Sequence, residues 1–154
     1  MRKAIFAVTV ISFTFLISCN KSNSTIETFS VLDQNVVTKY SPSTIAAKSG
    51  VLVATVLPLF DPNYTAQLSC AFPDTTLPTA NGAFAVVSGT PQANQVALTV
   101  SFNAGQTIYN AIGGNSSQTV AVSILSGKVT VVGTNIKIVN GNDTATVSLN
   151  ITQQ

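Results

Sequence analysis

The chain has 154 residues, of which 45% are hydrophobic and only 8% charged, with a formal net charge of +2. It contains no His and no Trp, and its one Arg is Arg2, which excludes a Ser-His-Asp triad, a His-ligated metal centre and a haem. The excess charge is Arg2 and Lys3; beyond them Lys21, Lys39, Lys48, Lys128 and Lys137 balance Glu27, Asp33, Asp61, Asp74 and Asp143, leaving no field to steer nucleic acid.

Arg2 and Lys3 precede a nearly continuous apolar run, Ala4 to Ile17. Its length suits a signal-peptide core and is short for a membrane-spanning helix. The run closes on Leu16-Ile17-Ser18-Cys19: an aliphatic residue, a tolerant position, a small residue and Cys. This ending resembles the lipobox of bacterial lipoproteins. The resemblance implies a signal peptide over 1–18 and acylation of Cys19, which would become the first mature residue and tie the protein to membrane lipid. Several acyl chains give firm attachment where one gives marginal binding. An ordinary secretory peptide and an apolar N-terminal anchor are the alternatives. In lipoproteins of Bacteroides-like bacteria, surface export resembles a Lys followed by acidic residues near the Cys, whereas Lys21 here is followed by Ser22 and Asn23. The expected location is the outer membrane, with the periplasmic face slightly favoured over the cell surface.

Residues 19–30 are polar and read as a flexible tether, leaving 31–154 as one domain. Phe29 to Leu32 and Val36 to Tyr40 each fit a first strand or a surface ribbon. Ser41-Pro42-Ser43 interrupts regular structure, and Ile45 to Lys48 is ambiguous, with one short turn as a reading. Val51 to Leu57 is strand-like and ends at Pro58. Tyr64 to Phe72 alternates well, with Ala66, Leu68, Cys70 and Phe72 on one face. Pro73 to Gly82 holds two prolines and an Asn-Gly pair and reads as a loop, a functional candidate because of its length.

Ala83 to Gly89 and Gln95 to Asn103 look like an antiparallel pair, the second with Val96, Leu98, Val100 and Phe102 facing the core. Asn103-Ala104-Gly105 turns the chain before a short strand over Thr107 to Ile112, and a Gly-rich loop follows. Thr119 to Leu125, Lys128 to Val132, Asn135 to Val139 and Thr144 to Ile151 read as a four-stranded meander. Their dividers Ser126-Gly127, Gly133-Thr134 and Asn140-Gly141-Asn142 are hairpin-sized. The sum is an all-β protein, an antiparallel β-sandwich of about seven to nine short strands, with a small β-barrel as the alternative.

Chemistry-bearing residues are sparse. If Cys19 is acylated, Cys70 has no partner and reads as a buried small hydrophobe. The carboxylates are scattered and offer no evident catalytic pair. Asp61, Asn63, Asn142 and Asp143 are hard oxygen donors in turns, but without the spacing of a helix-loop-helix calcium loop, and no metal or cofactor is expected. Most aromatics sit on core-facing positions; Tyr40, Phe60 and Tyr109 fall near turns or edges and are the candidates for a glycan- or peptide-binding surface. Asp74-Thr75-Thr76 and Asp143-Thr144-Ala145 resemble the Asp-Thr/Ser acceptor pattern for O-glycosylation in Bacteroides-like bacteria, which makes Thr75 and Thr144 candidate acceptors on exposed loops. The expected function is a non-enzymatic envelope lipoprotein whose β domain is a structural or interaction module, with an envelope protein or glycan as partner. The alternative is a lipoprotein that binds a small ligand or glycan.

Overall fold

A computed structural model describes residues 27–57, 65–113 and 118–154. Its strands are β1 (Thr28–Asp33), β2 (Val36–Tyr40), β3 (Thr44–Lys48), β4 (Val51–Val56), β5 (Ala66–Ala71), β6 (Gly82–Val87), β7 (Gln95–Phe102), β8 (Thr107–Ala111), β9 (Thr119–Leu125), β10 (Lys128–Asn140) and β11 (Asp143–Thr152). They form one 11-stranded sheet in the order β2-β1-β11-β10-β9-β6-β7-β5-β4-β3, with β8 paired to both β10 and β7. The all-β reading holds, with more strands than the seven to nine expected. Among the described residues no ladder joins the end strands β2 and β3, so the sheet folds over itself as a sandwich without closing into a barrel.

Short-range turn chemistry explains much of this order. Gln34-Asn35, Ser49-Gly50 and Ser126-Gly127 all adopt positive φ at both turn positions. Asp33 pairs with Val36, Lys48 with Val51 and Leu125 with Lys128, the two-residue loop that matches the right-handed twist of its strands. The ambiguous Ile45–Lys48 segment is therefore strand β3. At Gly50 the constraint is double: φ is +74, and a Cβ there would lie 2.5 Å from the Asp74 carbonyl oxygen, so the Pro73–Asn81 loop rests directly on this hairpin.

The interior is one cluster of apolar side chains drawn from every strand except β2. Leu52, Leu68, Val96, Val100, Val131 and Ile151 are fully enclosed, each contributing about 1.5–3 kcal/mol through removal of apolar surface from water. Alternation along β7 and β11 places Val96, Leu98 and Val100, and Val147, Leu149 and Ile151, in this core as expected. The two ends of the sheet meet across it. The Tyr40 ring of β2 lies 5.8 Å from Phe102 of β7, and the Gln154 amide N–H donates to the Ile45 carbonyl on edge strand β3 at 3.3 Å.

Four expectations are corrected. First, β1 begins at Thr28, inside the stretch read as tether, and Phe29 is 1% exposed; pairing with β11 gives its backbone a ladder and its ring a place in the core. Second, β6 and β7 are parallel, Ala85 opposite Gln95 and Val87 opposite Ala97. Parallel neighbours usually need a connection of about a dozen residues. Here Ser88–Asn94 suffices because the chain returns only to the level of Ala85. Gly89 (φ 87) and Asn94 (φ 59) make that reversal. Third, Gly133-Thr134 is not a hairpin. β10 is one strand of 13 residues with a bulge between Gly133 and Ile136. The extra residue switches the inward set from Val129, Val131 and Gly133 to Ile136 and Ile138, so both halves keep their apolar side on the core.

That bulge sits where the sheet forks. The first half of β10 pairs with β9 and the second half with β8, while β7 pairs with β6 at one end and β8 at the other. Gln118 fills the fork. Its side-chain Oε1 accepts from the Lys137 amide at 2.5 Å, its Nε2 donates to the Ile112 carbonyl at 3.1 Å, and its own carbonyl accepts from the Val86 amide at 2.8 Å. Fourth, Thr144 lies on β11 and not on a loop, because Asn140 still belongs to β10 and β11 starts immediately after the two-residue turn Gly141-Asn142.

Candidate functional site

One side of the sandwich gathers parts of β1, β2, β7 and β8 around an open groove of about 330 Å³. Val31, Asp33, Thr38, Tyr40, Phe102, Asn103, Thr107 and Tyr109 line it. Each arrives by strand pairing. Tyr40 is opposite Phe29 in the β1–β2 ladder, and the rings stack at 4.8 Å with an 18° interplanar angle. Phe102 is diagonal to Tyr109 across β7 and β8, and their rings meet edge-on at 6.0 Å. With the Tyr40–Phe102 contact, four rings run from β1 through β2 and β7 to β8. Such pairs add about 0.5–1.5 kcal/mol each beyond area burial.

Polar groups of one sign accompany the rings. The Tyr109 hydroxyl donates to Oδ2 of Asp143. That bond, burial and the charges of Asp143 and Asp33 push the Tyr109 pKa up to about 12. Burial also raises the Tyr40 hydroxyl, opposed by a hydrogen bond with Thr38. Asp33 Oδ1 is closed off from solvent and has no hydrogen-bond partner among the described residues, an expensive arrangement for a carboxylate oxygen. Among the described residues no Lys or Arg lines the groove. Lys39 lies between Thr38 and Tyr40 on β2 and, by strand alternation, projects from the other face.

Of the sequence-derived surface aromatics, the fold thus brings Tyr40 and Tyr109 to one groove. Tyr40 is half-buried, and Tyr109 is buried at 7% exposure with its hydroxyl engaged. Phe60 and Cys19 lie outside the described residues. Thr75 is exposed on the Pro73–Asn81 loop, and Thr144 is exposed near the start of β11. Cys70 is free, fully buried, and its thiol is pushed up to about 12 by burial. Among the described residues no three His, Cys, Asp or Glu side chains converge as metal ligands, and no helix is long and apolar enough to cross a membrane.

Asp33, Thr38 and Phe102 were missed as site residues. In sequence Asp33 is one of the scattered carboxylates, and Phe102 reads as core. Only the fold shows that β1 and β7, more than sixty residues apart in the chain, end at the same rim. Comparison with protein-family models, with curated proteins and with solved structures finds no match.

Proposed function

We propose that this chain is a non-enzymatic envelope lipoprotein, held to the outer membrane through acylated Cys19, whose β domain is a structural or interaction module. The observation that carries the reading is the filled interior. Inward-facing side chains from both ends of the sheet occupy it as one apolar cluster, and the grooves around Tyr40 and around the Pro73–Asn81 loop are open at the surface. The absence of His from the sequence agrees, since the commonest general base is missing. The module displays a sparsely charged face of Ser, Thr, Asn and Gln, suited to weak polar contact with an envelope protein or glycan.

The test is intact mass of the membrane-extracted protein, beside a Cys19→Ser variant and protease shaving of whole cells. The expected mass is residues 19–154 plus diacylglyceryl and acyl groups, with Cys19→Ser released from the membrane fraction. An unmodified mass in the soluble fraction overturns the lipid anchor. Added hexose-type mass at Thr75 or Thr144 would establish the acceptor motifs. Digestion of the domain on intact cells would assign it to the surface against the periplasmic preference.

A second reading, a small-ligand or glycan-binding lipoprotein, is favoured by one specific observation: the groove that joins Tyr40, Phe102 and Tyr109 to an unpartnered Asp33 oxygen.

A further inference from the structure

We infer that this groove binds a small organic ammonium ion, with Asp33 as counter-ion and the Tyr40, Phe102 and Tyr109 rings as its walls. The inference rests on the second of the two readings above and names its ligand class. Three features converge on it. The groove is open and of a size for a small molecule, about 330 Å³. Aromatic rings from three strands line it, and the negative faces of such rings attract cations that shed water readily. Among the described residues its charge is negative: Asp33 lines the wall, Asp143 stands behind the Tyr109 hydroxyl, and no basic side chain enters.

The two carboxylates are not equivalent. Asp143 already accepts a hydrogen bond from the Tyr109 hydroxyl through Oδ2. Asp33 lines the groove and its enclosed Oδ1 finds no donor among the described residues, so its carboxylate is the one that an incoming positive charge beside it would stabilise most. A hard metal ion fits less well. Calcium takes about six to eight oxygen ligands, whereas half of this lining is apolar or aromatic and no third carboxylate approaches among the described residues. A neutral sugar would find ring surface but would leave the one-sided charge uncompensated.

The test is an NMR titration of the full ¹⁵N-labelled chain with choline, with its neutral isostere 3,3-dimethylbutan-1-ol, with calcium chloride and with a panel of neutral saccharides. Choline is expected to shift the amides of Asp33, Tyr40, Phe102 and Tyr109 saturably, and the isostere to bind about tenfold more weakly or worse, the scale of one desolvated cation–π contact. Asp33→Asn, which keeps the shape and removes the charge, is expected to weaken choline by a similar factor of about ten. Equal binding of choline and the isostere, shifts outside the groove, or calcium shifts without choline shifts overturn the ammonium assignment. These ligand comparisons are made on the wild-type chain, so they stand even if Asp33→Asn is poorly folded. Saccharide shifts at these residues without choline shifts would leave the ligand-binding reading in place and remove the ammonium. Silence with every ligand would remove both.

Discussion

The Tyr109 hydroxyl of β8 donates to the Asp143 carboxylate of β11 across the end of β10. Both outer strands pair with β10 there, Asn110 and Thr144 each opposite Val139. The side-chain bond therefore ties together two strands that share no ladder, at the rim of the candidate groove.

Removing it has a defined cost. Tyr109→Phe is expected to destabilise the domain by about 1.5–3 kcal/mol, the range for a hydrogen bond to a charged group. Because Tyr109 titrates near 12 when folded and near 10 when not, the wild type holds this contribution in full below pH 10. It loses it as pH rises toward 12, since the unfolded chain releases the proton first. The stability gap between wild type and Tyr109→Phe should therefore shrink across that window. Denaturant melts at intervals from pH 8 to 12 would measure it, and a constant gap would contradict it.

Cys70 should be inert in the native domain. Its thiol is fully buried and pushed up to about 12 by desolvation, so almost no thiolate exists at neutral pH to react. Mass-resolved labelling at this residue with a thiol-exchange reagent should track global unfolding in denaturant. Rapid labelling without denaturant would show that β5 opens locally.

The bulge in β10 should tolerate no shortening. Deleting Thr134 makes the inward sets on either side of it incompatible, so that Val129 and Val131 or Ile136 and Ile138 must face water. Each buried aliphatic side chain lost costs about 2–5 kcal/mol, and the expected result is loss of cooperative folding. A glycine inserted between Ser126 and Gly127, in a turn with open space around it, is the matched control and should shift the midpoint only slightly.

Gln118 should behave as a structural residue despite its polarity. Gln118→Ala leaves the Lys137 amide and the Ile112 carbonyl without their partner, at an expected cost of about 1–3 kcal/mol. Hydrogen exchange at Lys137 should accelerate with it. Gln118→Glu keeps the acceptor for Lys137 and loses the donor to Ile112, so it should restore protection at Lys137 alone.

Local patterning in the sequence determined which face of most strands is buried, because a side-chain period of two needs no knowledge of neighbours. It placed Val96, Leu98 and Val100, Cys70, and Val147, Leu149 and Ile151 in the core, and turns at Ser126-Gly127 and around Gly141, where φ is positive. Tertiary structure decided everything that depends on which strands are neighbours. Alternation carries no direction, so β6 and β7 read as a hairpin although they run parallel. A Gly-Thr pair is equally good chemistry for a turn and for a bulge, and only pairing with β11 on both sides of Gly133 makes it a bulge. Asp33, Tyr40, Phe102 and Tyr109 share a groove because the two ends of one sheet fold over a common core, and that closure has no signature in any single stretch of the chain.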